Sequence, residues 1–417
     1  MTYTDDRAPS RLVLRGIGRL FTGSVEAGVV ERAALIADAE RIVWVGRETD
    51  LPSTLDGGAA AGDTDEVDLH GALVTPGLID AHTHPLYGGH RFSEIAARSA
   101  GASYAEIAAG GGGIASTVSA TRATPFDQLT TDAEGRLAAW LAGGVTTVEA
   151  KTGYHLTEQG ELAAVAVLAG LAERGNRASP LPSVEVTFLG GHAVGPEYSG
   201  DADAYADAVS GWCTAARAAG ARHADVFCDE GYFTVEQSRT MLVAARAAEL
   251  LPRIHADELA RTGGSLLAAE IGCSSADHLL RIDEEDARAL AAAGVVATLA
   301  PVTALAMGRT PPVRALIDAG ATIALGTDHN PGTCGTTSLS LVIALAVAGL
   351  GCSVGEALVA ATAGGAKSLR LPDRGRVLAG LRADLVAWDA DHEGAFAWAY
   401  GLRPLKVFTA GRLVASR

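Results

Sequence analysis

Short apolar runs alternate with segments of helical period through most of this chain. Eight such runs follow one another, at 73–80, 145–151, 184–189, 224–228, 253–256, 275–278, 295–300 and 322–327. Ala- and Leu-rich segments with helical spacing separate most of them, for example 235–250, 264–271, 284–293 and 312–319. Eight strand-then-helix units with nearly continuous apolar strands predict an α/β fold, a parallel TIM (β/α)8 barrel. A doubly wound open sheet would give a similar periodicity and stays an alternative.

The two ends of the chain follow another pattern. Short β runs with turn residues between them occupy 12–14, 28–30, 33–37 and 41–46, and β runs return at 382–389 and 405–414 after a helical stretch at 355–370. Short strands separated by turns are typical of a sheet or sandwich. We therefore expect residues 1–72 and 372–417 to form one small β-sandwich beside a metal-dependent barrel of residues 73–371.

The composition is typical of a globular protein, and the net charge argues against nucleic acid as a partner. Hydrophobic residues make up 48% of the 417 positions, and the formal net charge of −16 comes without a run of Lys or Arg, so nucleic acid would be repelled. The start of the chain shows no signal peptide, and apolar stretches are interrupted well before the ~18 residues of a membrane span. The five cysteines are scattered and never spaced as CxxC, which argues against disulfides and a thiolate zinc site. These features predict a soluble cytoplasmic protein that acts on a small molecule.

The connection after the first barrel run, at about 84–144, is much longer than a usual βα loop. It contains the sequence GGGGI at 110–114. A phosphate-binding loop would continue with GK and then Ser or Thr, but this chain has Ile-Ala-Ser. We expect either a flexible lid over a substrate or an ordinary surface loop.

Polar residues end four of the predicted strands. His82 and His84 follow the first run, and alternate residues of a strand point to the same side, so both imidazoles can reach one ion. An HxH pair alone could be incidental. His255 at the end of the fifth run and Asp328 at the end of the eighth are harder to explain as core packing, because chemistry in these barrels lies at the carboxyl ends of strands. Three imidazoles and one carboxylate predict a metal site with water as a further ligand.

Carboxylates and a further histidine near these ends are candidates for proton transfer. Glu258 follows His255 by three residues, where its carboxylate can carry a proton between water and a leaving nitrogen. Its other interpretation is a helix N-terminal residue that stabilises the first turn, and Asp257 is a competing candidate. His278 ends the sixth run and fits a role in orienting the water or polarising the scissile carbonyl. Glu258, His278 and Asp328 are therefore the candidates to take the proton from water.

Longer motifs surround these residues along almost the whole chain. They are PGLIDAHTH at 76–84, GGGI at 111–114, EAKTGY at 149–154, TFLGGHA at 187–193, DVFCDE at 225–230, HADE at 255–258, SADHL at 275–279, PVTA at 301–304 and GTDHNPGT at 326–333. With these motifs the sequence resembles the amidohydrolase superfamily and, within it, the imidazolonepropionase family. HxH with a late Asp marks only the superfamily, whereas KTGY, FLGGH and DHNPG together are much more specific.

The resemblance implies an activity and a cofactor. It implies that 4-imidazolone-5-propanoate is hydrolysed at the cyclic amide C–N bond to N-formimidoyl-L-glutamate, in histidine degradation, by a water that one zinc or iron ion activates. A single ion is implied because binuclear relatives carry a carboxylated lysine at the end of the fourth strand, where this chain has FCDE at 227–230. Lys151 ends the second run instead and is expected to be structural or on the substrate side. A homodimer is expected from the resemblance as well.

The resemblance also implies the residues that hold the substrate. Arg91 matches the arginine that would grip the propionate with two hydrogen bonds. The other matching positions are Tyr154, His192, Glu258, Asn330, Gly332 and Thr333. His155 and His329 stand where small residues would resemble the family better, and either could add a metal contact or alter the substrate fit.

Two other functions stay open at this stage. A deaminase of the same superfamily, acting on a purine- or pyrimidine-like ring, would use the same metal with Glu258 and His278. A catalytically inactive barrel that serves as a scaffold would be marked by lost metal ligands, and every expected ligand is present. Zinc and iron are both compatible with imidazole and carboxylate ligands.

Overall fold

The computed structural model describes residues 11–26, 28–52, 64–102, 106–107, 110–175 and 181–417. The described strands are β1 (Arg11–Phe21), β2 (Val29–Asp38), β3 (Arg41–Arg47), β4 (Thr64–Asp68), β5 (Leu73–Pro76), β6 (Leu78–Asp80), β7 (Val145–Lys151), β8 (Ser183–Gly191), β9 (His223–Cys228), β10 (Leu251–Ala256), β11 (Ser275–His278), β12 (Val296–Leu299), β13 (Ile323–Leu325), β14 (Leu385–Trp388), β15 (Pro404–Thr409) and β16 (Arg412–Ser416). The start of the chain and residues 53–63, between β3 and β4, lie outside the described residues.

The described helices fill the intervals between these strands. They are α1 (Phe92–Ser99), α2 (Gly113–Ala123), α3 (Phe126–Ala142), α4 (Glu158–Gly175), α5 (Ala202–Ala219), α6 (Val235–Ala247), α7 (Gly264–Ile271), α8 (Glu284–Ala293), α9 (Pro301–Ala306), α10 (Val313–Asp318), α11 (Leu339–Leu350), α12 (Val354–Val359), α13 (Gly365–Ser368) and α14 (Ala395–Trp398). Short 3₁₀ turns lie at Glu48–Asp50 and Pro196–Tyr198, and a π-helical turn lies at Ala360–Gly364. None of the described helices is both long enough and apolar enough to cross a membrane.

Strands β6 to β13 form a parallel barrel in chain order. The first and last strands come together through backbone hydrogen bonds, from Ala81 N to Leu325 O at 3.2 Å and from Asp328 N to His82 O at 2.9 Å. Buried apolar side chains such as Val148, Val226 and Leu299 pack between strands and surrounding helices. The predicted TIM barrel is confirmed, and the open doubly wound sheet is not what forms.

The predicted first barrel run at 73–80 is in fact two strands. β5 (Leu73–Pro76) pairs with β1 and β14 of the other sheet, and only β6 (Leu78–Asp80) pairs with the barrel strand β7. Gly77 joins them, and a Cβ there would overlap with Thr146. A glycine is therefore needed where the chain passes from one sheet to the other.

The terminal segments form a second sheet, in the order β16-β15-β14-β5-β1-β2-β3, with β4 paired to β1. The predicted runs 28–30 and 33–37 are one strand, β2, and the predicted run 405–414 is a hairpin of β15 and β16. Leu14, Leu35, Leu385 and Phe408 are fully buried in a core of their own. The sheet joins the two ends of the chain as predicted. The exact domain limits at 72 and 372 stay predictions.

Helix ends follow local signals in the sequence. Thr234 and Gln237 form a reciprocal capping pair at the start of α6, and Asp283 does the same with Asp286 at the start of α8. Gly294 ends α8 in the left-handed conformation that glycine adopts without strain. The predicted helices 264–271 and 284–293 coincide with α7 and α8, whereas 355–370 is divided into α12, the π-helical turn and α13.

Candidate active site

Three histidines converge at the carboxyl end of the barrel. His82 and His84 lie just past β6, and His255 lies within β10 near its end. One ring nitrogen from each falls within 4.8 Å of the others, and all three residues are buried. The pairing predicted from the HxH spacing therefore exists in space, together with the more distant histidine.

Asp328 completes this cluster from the loop after β13. Its Oδ1 lies 3.5 Å from Nε2 of both His82 and His84, and its Oδ2 accepts a hydrogen bond from Thr303 Oγ1 at 2.6 Å. The sequence alone did not assign Thr303 this role, because it lies in α9, which comes after β12 and 25 residues before Asp328. The structure thus brings all four predicted metal ligands together.

The ring nitrogens of the cluster indicate what could bind between them. Among the described residues, His82 Nε2 and His255 Nε2 are buried without a hydrogen-bond partner, as is His84 Nδ1. Burial lowers the pKa of His82 and the pKa of His84 well below the ordinary value. Lys151 lowers the pKa of His82 further, and His192 lowers that of His84 further. Buried imidazoles with unpartnered nitrogens beside a carboxylate could hold a metal ion, and such donors suit zinc and iron.

Glu258 and His278 face the same pocket. Oε1 of Glu258 lies 3.4 Å from Nδ1 of His278, while Nε2 of His278 is buried without a hydrogen-bond partner in the described structure. Burial raises the pKa of Glu258 well above its ordinary value, and the carboxylates of Asp328 and Asp229 raise it further. Burial and then His255 lower the pKa of His278 to about 3. Burial thus favours the uncharged form of both groups.

The loop that carries Glu258 is held by a residue that was not predicted. Asp229, just after β9, accepts hydrogen bonds from the backbone N–H groups of Glu258, Leu259 and Ala260 at 2.7, 2.9 and 3.0 Å. The DVFCDE segment contains it, but its partners lie about thirty residues away in sequence, so spacing alone could not assign its role.

Asp257, the competing proton carrier, is engaged elsewhere. Its carboxylate accepts hydrogen bonds from the backbone N–H groups of Thr262 at 2.7 Å, Gly263 at 3.0 Å and Ser265 at 2.9 Å. This arrangement organises the start of α7 (Gly264–Ile271) and leaves Asp257 fully buried. The geometry therefore favours Glu258 for proton transfer.

Three strand ends at the site have left-handed backbone. Asp257, His278 and Asp328 have φ of 51°, 76° and 49°. Such angles are costly for residues other than glycine and persist where the surroundings enforce them, which is common at functional sites. They turn the chain sharply after the strand, so that successive side chains diverge: Asp257 points to the helix, while Glu258 reaches the pocket.

The pocket brings most of the predicted substrate residues together. It is lined by the predicted residues His84, Arg91, Tyr154, His192, His255, Glu258, His278, Asp328, Asn330 and Thr333. Its volume is about 40 Å³, which holds only a few water molecules. A larger cavity of about 510 Å³ shares Arg91 and is bounded by the glycine-rich segment at 110–112.

Arg91 is buried and closely packed. Its backbone N–H donates to Pro331 O at 3.1 Å, and its Nε lies 3.8 Å from Glu94 Oε2. The guanidinium lies against the Cα of Gly332, where any side chain would overlap with it. Gly332, which the sequence placed on the substrate, therefore also makes room for Arg91.

The side chain of Asn330 makes hydrogen bonds within its own loop. Its Oδ1 accepts from the backbone N–H groups of Gly332 and Thr333, each at 2.8 Å, and its Nδ2 donates to Asp328 O at 2.6 Å. The side chain thus shapes the loop that presents Asp328. The predicted contact of Asn330 with a substrate stays a prediction.

The aromatic residues occupy distinct places. Tyr154 and His192 line the pocket with ring centroids 5.1 Å apart, and Nδ1 of His192 pairs with Gly153 O at 3.0 Å.

His155 stacks on Phe126, with ring centroids 4.8 Å apart. His329 Nε2 lies 3.1 Å from the Tyr87 hydroxyl, and its ring packs edge-on against Trp140. The two unusual histidines thus pack against aromatic rings, apart from the three-histidine cluster.

A charged group that the sequence reasoning missed lies inside the barrel. Asp277 pairs with His82 Nδ1 at 2.6 Å, and Asp225 pairs with His255 Nδ1 at 3.1 Å. Lys151, Arg253 and Glu149 surround these carboxylates, and all five side chains are buried. The signal for this group was the presence of charged residues within otherwise apolar strands.

Residues 73–414 match the amidohydrolase family profile. Together with the barrel and the histidine cluster, this match shows that the chain belongs to the amidohydrolase family, and it is a hydrolase. Within that family it groups with imidazolonepropionases. It is 41% identical to the imidazolonepropionase of Anaeromyxobacter sp. (strain K), over 98% of this chain and 97% of the relative. It is 42% identical to that of Ruegeria sp. (strain TM1040), over 94% and 96%.

Solved structures share the fold at lower identity. A triazine hydrolase from Arthobacter aurescens aligns with a TM-score of 0.75 at 20% identity, over 98% of this chain and 95% of that one. The atrazine chlorohydrolase of Arthrobacter aurescens TC1, solved with zinc, aligns with a TM-score of 0.71 at 19% identity, over 97% and 95%. These similarities support the barrel and the second sheet.

Proposed function

We propose that this protein hydrolyses 4-imidazolone-5-propanoate to N-formimidoyl-L-glutamate, the ring-opening step of histidine degradation, with one bound zinc or iron ion. Water adds to the ring carbonyl carbon, the bond from that carbon to the ring nitrogen breaks, and the nitrogen takes up a proton. The carbonyl carbon becomes the α-carboxylate. The carbon between the two ring nitrogens becomes the formimidoyl group, which stays bonded to the nitrogen on the α-carbon. The observation that carries the proposal is the cluster of His82, His84, His255 and Asp328 in a chain whose full-length relatives are imidazolonepropionases.

The metal and the proton carrier have separate tasks. A zinc or iron ion, held by His82, His84, His255 and Asp328, would lower the pKa of a water molecule and supply hydroxide near neutral pH. Glu258 carries the proton to the leaving nitrogen, because it faces the same pocket and has no ligand role in the cluster.

His278 is assigned to the carbonyl oxygen. Its Nδ1 faces the Glu258 carboxyl group at 3.4 Å, and the carboxyl group can donate its proton there. Nε2 then carries the remaining ring proton and has no partner in the described structure. A hydrogen-bond donor so placed stabilises the negative charge that develops on the carbonyl oxygen during attack.

Arg91 is assigned to the propionate of the substrate. It is the cation that lines the pocket, and a guanidinium binds a carboxylate with two parallel hydrogen bonds. Tyr154 and His192 line the pocket beside His84, and Asn330 and Thr333 line it near Asp328. We further propose a cytoplasmic homodimer, which the family resemblance supports and light scattering of the purified protein would test.

The direct test is a substrate panel with metal-loaded protein. We expect loss of imidazolone absorbance with 4-imidazolone-5-propanoate and a product that mass spectrometry identifies as N-formimidoyl-glutamate. Elemental analysis of the same sample distinguishes zinc from iron. Ammonia release from a purine or pyrimidine, without imidazolone consumption, would show a deaminase instead. Inactivity on every ring by fully metal-loaded protein would favour the scaffold alternative.

A further inference from the structure

A buried lysine on the second barrel strand touches the partners of two different histidines. Lys151 ends β7, and its side chain has no exposed surface. Its Nζ donates to Asp225 Oδ2 at 2.6 Å and to Glu149 Oε1 at 2.8 Å, and it lies 3.6 Å from Asp277 Oδ2. Strands β7, β9 and β11 are not neighbours in the barrel, so these contacts cross its interior.

The two aspartates in turn hold two histidines of the cluster. Asp225 Oδ1 pairs with His255 Nδ1 at 3.1 Å, and Asp277 Oδ2 pairs with His82 Nδ1 at 2.6 Å. In each ring the opposite nitrogen, Nε2, is the one without a partner in the described structure. A carboxylate bonded to the outer nitrogen of a ligating histidine fixes the ring orientation and tautomer and makes it a better ligand.

We propose that Lys151 is a positioning residue of the metal site, which holds Asp225 and Asp277 in place and thereby aims His255 and His82 at one ion. This inference rests on the metal site proposed above. Lys151 does not touch the histidines itself in the contacts described, so it acts through the carboxylates.

The charges in the barrel interior explain why a cation is needed at this position. Three carboxylates, from Glu149, Asp225 and Asp277, face the two cations Lys151 and Arg253. A neutral side chain at 151 would leave three carboxylates beside one cation in an interior closed to water. Loss of one partner from a buried ionic group leaves a charge uncompensated. The carboxylates would then rearrange, and their hydrogen bonds to the histidines would loosen.

A lysine that served only the stability of the barrel would behave differently. Its loss would lower the free energy of unfolding of the metal-free protein, while chains that remained folded would bind zinc as before. If Lys151 positions the ligands, its loss should weaken zinc binding even in chains that remain folded. Removing a residue that supports a metal-ligating histidine commonly weakens metal binding roughly 10- to 100-fold.

The experiment measures zinc dissociation constants of the metal-free, full-length protein by competition with a chromophoric chelator. Wild type, Lys151→Met, Asp225→Asn and the double variant are compared. We expect Lys151→Met to raise the Kd for zinc roughly 10- to 100-fold. The zinc Kd of the double variant should rise by less than the product of the two single increases, because the effects of residues that act through one contact are not additive.

A matched control separates this effect from general destabilisation. Arg382 is also largely buried, and it pairs with Asp384 at 3.1 Å and with Glu40 at 3.3 Å, next to the second sheet. Arg382→Met should destabilise the protein but leave the zinc Kd unchanged. All measurements are made in trimethylamine oxide, which favours the folded state.

The outcomes are distinct. An unchanged zinc Kd in folded Lys151→Met would overturn the positioning role, and so would a variant that stays unfolded in the osmolyte, because the lysine would then serve the fold itself. If wild type bound no zinc, or if His255→Ala bound it as well as wild type, the proposed metal site would be wrong instead.

Discussion

The barrel interior below the histidine cluster and the core of the second sheet are both closed to solvent, but different side chains fill them. Charged residues such as Glu149, Lys151 and Arg253 occupy the barrel, where parallel barrels usually have Val, Ile and Leu. Leu35 and Phe408 fill the core of the second sheet. Replacing buried ion pairs with well-packed apolar residues is often neutral or stabilising, so stability alone does not explain the charged layer. The difference fits the positioning role proposed for Lys151, whereas the second sheet joins the two ends of the chain through an apolar core.

The largest expected effect tests the barrel side of this comparison. Glu258→Gln keeps the size and polarity of the side chain but cannot carry a proton, so kcat should fall by ~10²–10⁴-fold. Zinc content and Tm should stay close to wild type, because Glu258 is not a proposed ligand. A near-normal kcat at full zinc occupancy would transfer the proton step to Asp328 or His278.

The core of the second sheet should respond in stability only. Phe408→Ala removes a fully buried ring from that core, which we expect to cost ~3–5 kcal/mol of unfolding free energy in denaturant titrations. The zinc Kd and the kcat of the folded variant should stay at wild-type values. A large loss of zinc affinity at low temperature, where the variant is folded, would show that the two regions are coupled.

The substrate side of the site is tested by Arg91→Met. A charge-assisted pair with the propionate in a buried pocket would be worth ~2–5 kcal/mol, so kcat/KM should fall roughly thirtyfold to several thousandfold. A substrate analogue whose carboxylate is a neutral amide provides the control. Wild type should discriminate strongly between acid and amide, and Arg91→Met should treat them nearly alike. Equal discrimination by both proteins would contradict the assignment.

A smaller effect is expected when Arg91 is displaced rather than removed. A methyl group at position 332 would overlap with the guanidinium, so Gly332→Ala should shift Arg91 at a cost of ~1–3 kcal/mol. We expect KM to rise by more than kcat falls, with unchanged zinc content. Gly335→Ala is the matched control, because a Cβ at Gly335 meets no atom within 4 Å, and it should leave KM unchanged.

The periodicity of the chain was sufficient to predict the barrel, but not the place where it begins. Leu73–Pro76 and Leu78–Asp80 are both buried and both begin with two apolar residues, so they read as one continuous run although they belong to different sheets. Only the pairing partners distinguish them, and these partners lie far away in sequence. The hairpin of β15 and β16 was missed because its turn, Ala410-Gly411, is only two residues long, so 405–414 reads as one continuous β run.

The candidate ligands could be predicted because each stands at a strand end, where polar residues interrupt an apolar pattern. Their supporting residues could not. Asp277 precedes His278 but pairs with His82, which is 195 residues away. Lys151 was expected to be structural or near the substrate, and the structure places it in the interior against Asp225. Such contacts depend on how the barrel closes, which periodicity does not specify.

The central claim is that His82, His84, His255 and Asp328 hold one catalytic metal ion. The most direct measurement is the metal content of purified wild type and His255→Ala, by elemental analysis after equilibration with limiting zinc, with the hydrolysis rate recorded on the same samples. We expect about one ion per chain in wild type, in line with a mononuclear zinc site. His255→Ala should lose most of the metal and the activity together. Full occupancy and a full rate in His255→Ala would contradict the account.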